Sequence, residues 1–445
     1  MLTPDHGRVV GLGRQGEIKP LGFAAVTPSE PAAPRREVTI GIPLLLLILP
    51  MFGQVFHYMI DAGPLYYLSK AWPVVTLPFA FYALIRLKTR FAGFYIACLL
   101  YALTVTPIMS IIWLGNDFGD AITNGVKIWP LSHYFSLIGI LVWCSVKPDD
   151  LVKSLILLGF GTAGVMILLW YVAPWYWYSW DPAVSRLFLK DLSRGNHIFF
   201  PVTFLLLVTF YATYQILRRP RLWQPVFIAL SLYIQFYIFK QRTCVATCLL
   251  VMVGIVIFRL PKLVRGIVIW GFYGVIFVGG AYVATNLDTI FANFGGSLTV
   301  RQTSMALLQK YLGDQPVRWV FGAGGASRMG SVTMADIVGR KDFWLTDLGW
   351  AGVLFEFGVV GVLLMLSLFA AVLWWSRRLP RLEDHRYRAM QGAIVAYIAY
   401  LAISSLIYSF VYAPGELASM TALLLYLANA GRPQAEPLKT GARIY

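Results

Sequence analysis

Long apolar segments recur along almost the whole chain, and they constrain its fold more than any other feature. About twelve of them are long enough to cross roughly 30 Å of hydrocarbon. They begin near Val38, Pro64, Phe91, Ile122, Leu151, His197, Leu222, Thr243, Val264, Leu348, Ala389 and Glu416. Together with 58% hydrophobic and 13% charged residues, this pattern predicts an all-α polytopic membrane protein rather than a water-soluble domain.

The predicted spans divide the chain into five parts. Residues 1–37 are rich in Gly, Pro and Ala and are predicted to form a disordered cytoplasmic tail, as are residues 431–445. Residues 38–284 contain the first nine predicted spans, and residues 348–430 contain the last three. Residues 285–347 form a connection far longer than the others, with short predicted helices, and a loop of this size is usually functional or disordered.

Clusters of Lys and Arg set the predicted orientation. They are RLKTR (86–90), RRPR (218–221), RLPKLVR (259–265) and RRLPRLEDHRYR (377–388), and they fall on alternate turns. The positive-inside rule places these loops and both termini in the cytoplasm, and the long loop on the outer side. Because the net charge of +16 is dispersed between spans, it does not indicate nucleic-acid binding.

Basic residues on the predicted outer side require another explanation, because outer loops are normally poor in Lys and Arg. Lys240 and Arg242 lie in the corner KQRT, Arg301 lies in the long loop, and Arg194 lies at the mouth of the sixth span. Arginine donates two parallel hydrogen bonds and stays charged at low dielectric, so the pattern favours an anionic ligand. Alternatively, these side chains reach lipid headgroups or pair with acids such as Asp191.

Three segments of the second half form a recognisable combination. They are the corner KQRT that opens a helix, the Arg-led VRQTSMALLQKYLGDQPVRWVFGAGGAS, and the closing DLGWAGVLFEFGVVGVLLML. Together they resemble the O-antigen ligase and O-antigen polymerase superfamily. The resemblance covers roughly residues 193–366. It implies a bacterial inner-membrane glycosyltransferase that transfers a glycan, with inversion, from undecaprenyl pyrophosphate to a sugar hydroxyl at the periplasmic face. The implied partners are the lipid-linked donor, a glycan acceptor, membrane lipids, and a chain-length regulator or export protein.

The candidate catalytic residues are Arg242, Arg301 and Asp347. The two arginines would stabilise the charge that develops on the diphosphate leaving group, and Arg194 would bind the same diphosphate. Further candidate diphosphate ligands are Lys240, His197 and Arg318. Asp347 stands where the ligase branch typically has a His, which favours the polymerase branch. It is a candidate general base, or else the N-cap of the following helix.

Glu356 lies nine residues after Asp347, which places it about 13 Å along the helix into the membrane. An intramembrane carboxylate is a functional candidate by default, but a partner such as Lys127 would make it structural. Lys127 would otherwise reach the outer face with the arginines. The sequence FGAGGASRMG lacks the features of a nucleotide-binding loop and is interpreted as a flexible turn.

Two other functions compete with polymerisation. The first is ligation of a finished glycan to lipid A core or another acceptor. The second is transport, although twelve-span carriers tend to show two similar halves around a central cytoplasmic loop. No metal-binding motif is apparent, so the expected chemistry is metal-independent and needs no cofactor.

Overall fold

A computed structural model describes most of the chain between the predicted tails, and within this part the chain is mostly helical. The described residues are 48–52, 63–181, 184–191, 194–285, 301–325, 336, 345–379, 382, 384–409, 414–430 and 443–444. The N-terminal tail, most of the C-terminal tail and the predicted span start at Val38 lie outside them.

Helices account for the architecture. The α-helices are Gly63–Val75, Leu77–Arg86, Ala92–Met109, Phe118–Asn124, His133–Trp143, Pro148–Val172, Thr203–Ile216, Trp223–Tyr233, Arg242–Ile257, Lys262–Thr285, 301–312, Pro316–Phe321, Trp350–Ser376, His385–Ser404 and Pro414–Ala430. Short 3-10 helices are Leu49–Met51, Gly125–Ser132, Trp175–Trp177 and Leu345–Leu348, and π-helical turns are Ser110–Leu114 and Ile234–Phe239.

These helices support the prediction that the chain is a membrane protein. The helical segments long and apolar enough to cross a bilayer are Gly63–Arg86, Ala92–Leu114, Phe118–Trp143, Pro148–Val172 and Trp350–Ser376. Shorter apolar helices are Thr203–Ile216, Trp223–Phe239 and Arg242–Ile257. From Pro64 onward, each predicted span start has a described helix nearby, while the count of twelve spans stays a prediction.

Helix Thr203–Ile216 lies at the centre of the bundle, and nearly all of its side chains are buried. It packs against Pro148–Val172 and His385–Ser404, and the latter packs against Pro414–Ala430. Peripheral helices instead turn apolar side chains outwards, as Trp270 and Phe277 show with 76% and 79% exposure. Such extensive exposed apolar surface is what a bilayer would cover.

The prediction of an all-α fold is incomplete, because the described chain also contains short strands. Phe188–Asp191 pairs antiparallel with Gly195–Ile198, and we call this pair the hairpin. Lys88–Thr89 pairs in parallel with Arg443–Ile444. His197, the predicted start of the sixth span, therefore lies in a strand, and the helix begins only at Thr203. Gly195 has a φ of +66°, a left-handed conformation that a tight turn needs and that glycine adopts without strain.

The bundle has two chemically different ends. Three contacts bring the four basic loops to one end. Arg90 lies over the Trp375 ring at 5.5 Å, Arg259 lies over the Tyr214 ring at 5.4 Å, and Tyr214 packs against Gly392. We call this the basic end. The hairpin, the KQRT corner and the turn at residues 345–349 lie at the opposite end, which we call the site end.

Candidate functional site

The hairpin positions Arg194 at the site end. The Asp191 carboxylate accepts a hydrogen bond from the Arg194 backbone N–H at 2.6 Å and from its Nε at 2.5 Å. Lys240 joins the same group, since its Nζ donates to the Arg194 carbonyl oxygen at 2.9 Å. The sequence left this pairing of Arg194 with Asp191 open as an alternative, and the structure contains it. In the described chain Arg194 has no other side-chain hydrogen bond, so its remaining guanidinium nitrogens can bind a ligand.

The KQRT corner begins a helix, as the sequence predicts. The π-helical turn Ile234–Phe239 ends in Lys240, whose φ of +52° is left-handed. A lysine in this conformation costs of order 1 kcal/mol or more, so the surrounding structure must hold it there. The rings of Trp170 and Tyr237 flank its ammonium at 5.4 and 5.9 Å. Arg242 is the first residue of the next helix, and it is exposed.

Asp347 lies in the 3-10 turn Leu345–Leu348, near both Arg301 and Arg194. The Asp347 residue is exposed at the surface of the turn, but protein atoms around its carboxyl still partly desolvate it and raise its pKa, while the charge of Arg301, a hydrogen bond from Thr346 and the charge of Arg194 lower it in part. The Arg301 guanidinium also lies over the Tyr408 ring at 5.6 Å. The structure therefore brings together two arginines and one carboxylate that are far apart in the sequence.

Asp347 does not cap the long helix, so that alternative is wrong. The helix begins at Trp350, and its N-cap is Gly349, with a φ of +53° and no side-chain cap. A Cβ on Gly349 would lie 2.4 Å from the Leu406 carbonyl oxygen, so only glycine fits this close approach. The Asp347 carboxylate instead accepts a hydrogen bond from the Thr346 hydroxyl at 3.4 Å.

His197 lies in the hairpin and is only 1% exposed. Its Nδ1 lies 3.0 Å from the Gly195 carbonyl oxygen, to which it donates. Burial and the nearby charges of Arg194 and Lys240 lower the pKa of His197, while the Gly195 carbonyl and Asp191 raise it in part. The imidazole is therefore neutral near neutral pH, and it is a weaker candidate for a diphosphate ligand than the arginines.

We call Asp191, Arg194, Lys240, Arg301 and Asp347 the charged cluster. It combines three permanent or near-permanent cations with two carboxylates, and Arg242 adds another cation two residues after Lys240. Among the described residues, Arg242 makes no ion pair or side-chain hydrogen bond. The cluster thus has excess positive charge for an anion and one carboxylate, Asp347, that is not occupied by a salt bridge in the described chain.

Lys127 and Glu356 lie apart from the charged cluster, and they form an ion pair with each other. Lys127 Nζ lies 2.5 Å from Glu356 Oε1, and the Glu356 side chain is fully buried. Lys127 belongs to the 3-10 helix Gly125–Ser132, which interrupts its span. Of the two roles that the sequence left open for Lys127, the structure contains the pairing with Glu356.

The described part of the glycine-rich sequence is packed, so its interpretation as a flexible turn is wrong there. We call Phe321–Gly325 the glycine turn; residues 326–330 lie outside the described chain. Ser110 Oγ and Asn124 Nδ2 donate to the Gly325 carbonyl oxygen at 2.8 and 3.0 Å. A Cβ on Gly324 would lie 2.2 Å from the Ser110 nitrogen. The glycines therefore permit close backbone approach.

The glycine turn also donates hydrogen bonds to backbone carbonyls at a break in the helix Trp350–Ser376. Gly358 interrupts this helix with a φ of +64°, which leaves carbonyl groups without their helical partners. The backbone nitrogens of Ala323 and Gly324 donate to the carbonyls of Phe355 and Glu356 at 2.7 and 3.2 Å. Irregular backbone at membrane depth is tolerated where protein satisfies it in this way.

Arg318 contacts one residue of the long loop and one residue of a neighbouring span. Its guanidinium lies 4.4 Å from the Trp113 ring centroid and donates to the Tyr311 carbonyl oxygen at 2.7 Å. Tyr311 in turn donates to the Trp113 carbonyl oxygen at 2.9 Å. No contact in the described chain joins Arg318 to Arg301 or Asp347. Arg318 thus fixes the loop to the span Ala92–Leu114, which makes a role as a diphosphate ligand less favoured.

A small apolar core attaches helix 301–312 to the bundle. Its buried members are Leu114, Leu308, Leu312, Ala323, Leu345 and Phe355. This core joins the helix that carries Arg301, the glycine turn and the turn that carries Asp347. The relative position of Arg301 and Asp347 therefore depends on apolar contacts well below them.

Glu416 is a candidate that the sequence reasoning missed. Its carboxylate accepts hydrogen bonds from Thr203 Oγ1 at 2.7 Å and from the Tyr397 hydroxyl at 2.5 Å. The signal was present, because Glu416 opens the last apolar segment and intramembrane carboxylates are functional candidates by default. Its two hydroxyl donors favour a structural role.

The site has the chemical means to bind a multivalent anion and to accept a proton next to it. Comparison of the chain with protein-family models and with curated proteins finds no match. A fold alone does not identify a function. The function is therefore argued from the charged cluster and from its position in the bundle.

Proposed function

We propose that the chain is an inverting glycosyltransferase of the bacterial inner membrane. In this proposal it polymerises undecaprenyl-pyrophosphate-linked oligosaccharide repeat units of an exopolysaccharide or O-antigen. The observation that carries the proposal is the charged cluster at the end opposite the basic loops, in which Arg301 and Arg194 lie near the carboxylate of Asp347 and Lys240 donates to the Arg194 carbonyl oxygen. The resemblance of the sequence to O-antigen ligases and polymerases supports the same chemistry.

The proposed topology has twelve spans, with both termini in the cytoplasm. The positive-inside rule assigns the basic end to the cytoplasm, so the charged cluster would face the periplasm. Lipid-linked repeat units present their diphosphate at the membrane surface. In the proposed topology the hairpin and the KQRT corner would lie at that surface, where their neighbouring helices end. The substrate's lipid tail would lie along the exposed apolar sides of those helices.

The proposed reaction transfers a glycan from a diphosphate to a hydroxyl. The acceptor hydroxyl oxygen attacks the anomeric carbon of the donor sugar from the side opposite the diphosphate and forms a new glycosidic bond. The bond between that carbon and the phosphate oxygen breaks, and its electron pair leaves with undecaprenyl pyrophosphate. The hydroxyl proton passes to the Asp347 carboxylate. One displacement from the opposite face accounts for inversion.

Electrostatics supply the catalytic benefit in this scheme. Negative charge grows on the leaving diphosphate, and preorganised donors near such charge typically contribute about 3–4 kcal/mol each. Arg301 and Arg242 would serve this role, with Arg194 and Lys240 beside them. The raised pKa of Asp347 suits a general base, because proton affinity increases with pKa.

A reconstituted assay tests the proposal. Purified protein is incubated with lipid-linked oligosaccharide, and the products are separated by size. Polymerase activity gives a ladder of products that differ by one repeat unit. A single shifted species formed only with lipid A core would instead establish ligation. Movement of the lipid-linked unit across the bilayer without any growth would establish transport. Arg265→Ala at the basic end is the matched control for Arg301→Ala.

A further inference from the structure

The basic end contains a second group of arginines that the proposed reaction does not use. Tyr214, near the end of helix Thr203–Ile216, packs so closely on helix His385–Ser404 that a Cβ on Gly392 would lie 2.8 Å from its ring. The Arg259 guanidinium lies over the same ring at 5.4 Å. Tyr214 is therefore a fixed point where three chain segments meet.

Helical geometry brings two more arginines to this point. Arg218 follows Tyr214 by four residues, and Arg388 precedes Gly392 by four residues on the antiparallel neighbour. Four residues correspond to about 6 Å of helix axis, so both lie about one turn beyond the contact, towards the same end. Arg218 is an exposed residue, and its pKa is lowered by partial desolvation and by the charges of Arg259 and Arg388, which agrees with this placement.

Nearby carboxylates do not neutralise these arginines in the described chain. Asp384 accepts a hydrogen bond from the Arg386 backbone N–H at 2.7 Å and lies 3.7 Å from Arg386 Nε. Asp149 interacts with Tyr387. None of the described ion pairs includes Arg218, Arg259 or Arg388. Three like charges held together by the fold repel one another, and an anion between them would relieve that repulsion.

We propose that Arg218, Arg259 and Arg388 form a binding site for a phosphate group, either the headgroup of an anionic phospholipid or a soluble phosphate. Guanidinium groups match phosphate oxygens with paired hydrogen bonds, and here three of them come from three separate chain segments. Nε and Nη2 of Arg388 donate to the Leu382 carbonyl oxygen, so its Nη1 would bind the ligand. Basic pockets between membrane helices commonly bind lipid headgroups of this type. The exposed apolar side of Lys262–Thr285, which includes Leu263 and Ile267, offers acyl chains a surface beside Arg259.

The position of the site gives it a structural consequence. Its three arginines come from three segments that are separate in the sequence. A bound phosphate would therefore connect, by hydrogen bonds, the ends of helices Thr203–Ile216, Arg242–Ile257 and His385–Ser404. Helix Arg242–Ile257 carries Arg242 at its other end. This inference does not depend on the proposed glycosyl transfer, because phosphate binding at the basic end can be measured without any sugar substrate.

Binding is measured on the full-length protein in nanodiscs by native mass spectrometry. Discs contain phosphatidylcholine with a small fraction of phosphatidylglycerol, and a parallel series contains phosphatidylcholine with millimolar inorganic phosphate. Replacing Arg218 or Arg259 by Gln should weaken the retention of the phosphate ligand about fivefold each, as expected for one basic residue near a charged surface. Arg265→Gln, in the same loop as Arg259, should leave it unchanged.

A variant without a charge change separates a built site from general surface potential. Tyr214→Leu removes the ring beneath Arg259 and should also weaken retention, whereas it leaves the net charge unchanged. If Arg218→Gln, Arg259→Gln and Tyr214→Leu weaken retention only of phosphatidylglycerol, the ligand is a lipid headgroup. If they weaken retention only of inorganic phosphate, the ligand is soluble. The proposal would be overturned if Arg265→Gln weakened retention of the phosphate ligand as much as Arg259→Gln does. It would also be overturned if folded Arg218→Gln and Arg259→Gln proteins retained the ligand as well as the wild type. Size-exclusion profiles confirm that each variant is folded.

Discussion

The charged cluster and the pair of Lys127 with Glu356 both place opposite charges in contact within a membrane protein, but they differ in surroundings. Glu356 is fully buried, and its partner is at 2.5 Å. The charged cluster lies at a bundle end and has more cations than carboxylates, and the exposed residue Arg242 follows its Lys240 by two residues. A buried carboxylate in contact with an ammonium is poorly placed to bind a ligand, whereas a cluster with excess positive charge at a bundle end can bind an anion. The first should therefore govern stability and the second activity.

The largest expected effect is on stability, from breaking the buried pair. Glu356→Ala removes the buried carboxylate that lies 2.5 Å from the Lys127 ammonium, and breaking a buried ion pair typically costs about 3–5 kcal/mol. Thermal unfolding in detergent should show a markedly lower melting temperature. The double variant Lys127→Met with Glu356→Leu should recover most of the loss, because it removes both charges. An unchanged melting temperature in Glu356→Ala would contradict a structural role for the pair.

The next effect is on activity, from removing a cation at the leaving group. Arg301→Ala and Arg242→Ala should each lower product formation by about 100-fold to 1000-fold. Protein level and melting temperature should stay near those of the wild type. Product formation is measured with lipid-linked oligosaccharide, and Arg265→Ala serves as the control with the same charge change. Wild-type turnover in both variants would refute diphosphate binding by these arginines.

Asp347→Asn should reduce the rate by about 100-fold, because an amide cannot accept the proton of the attacking hydroxyl. Since Gly349 rather than Asp347 caps the following helix, the melting temperature should change little. Full activity of Asp347→Asn would exclude a role as general base, and a large loss of stability would show that the carboxylate has a structural role.

The smallest effect is expected for Arg194, because Asp191 already occupies part of its guanidinium. Arg194→Gln should lower activity about tenfold, equivalent to about 1.4 kcal/mol. It should also shift the acid limb of the pH profile. In the proposed reaction the carboxylate form of Asp347 is the active one. Desolvation by the surrounding protein raises the pKa of that group, and Arg194 lowers it. Without Arg194 the pKa increases, so activity should appear at higher pH. An acid limb that stays in place or moves to lower pH would contradict this arrangement.

Local patterns in the sequence were sufficient to predict several features. Apolar length predicted membrane helices, and VRQTSMALLQKYL predicted helix 301–312. The KQRT corner predicted that a helix opens there, with a span start near Thr243, and in the structure this helix begins at Arg242. The possibility of a Lys127 partner for Glu356 followed from the cost of an isolated carboxylate in lipid. These predictions succeed because each depends on composition over one short segment or on one strong electrostatic rule.

Features that depend on distant contacts could not be predicted in the same way. The glycine turn appeared flexible because glycine is frequent in flexible loops, yet its order depends on Asn124, which is 201 residues away from Gly325. The cap at Gly349 depends on its close approach to Leu406. The hairpin replaced the predicted start of a span at His197 because strand pairing with Phe188–Asp191 competes with helix formation.

Binding of the spent carrier tests the central claim most directly. Undecaprenyl pyrophosphate and undecaprenyl phosphate share one lipid tail and differ only in the diphosphate, so the ratio of their affinities isolates recognition of that group. The wild-type protein should bind the diphosphate at least tenfold more tightly, and Arg301→Ala should lose most of this preference, whereas Arg265→Ala should keep it. Equal affinity of the wild-type protein for the two carriers, or an unchanged preference in Arg301→Ala, would contradict diphosphate recognition by the charged cluster.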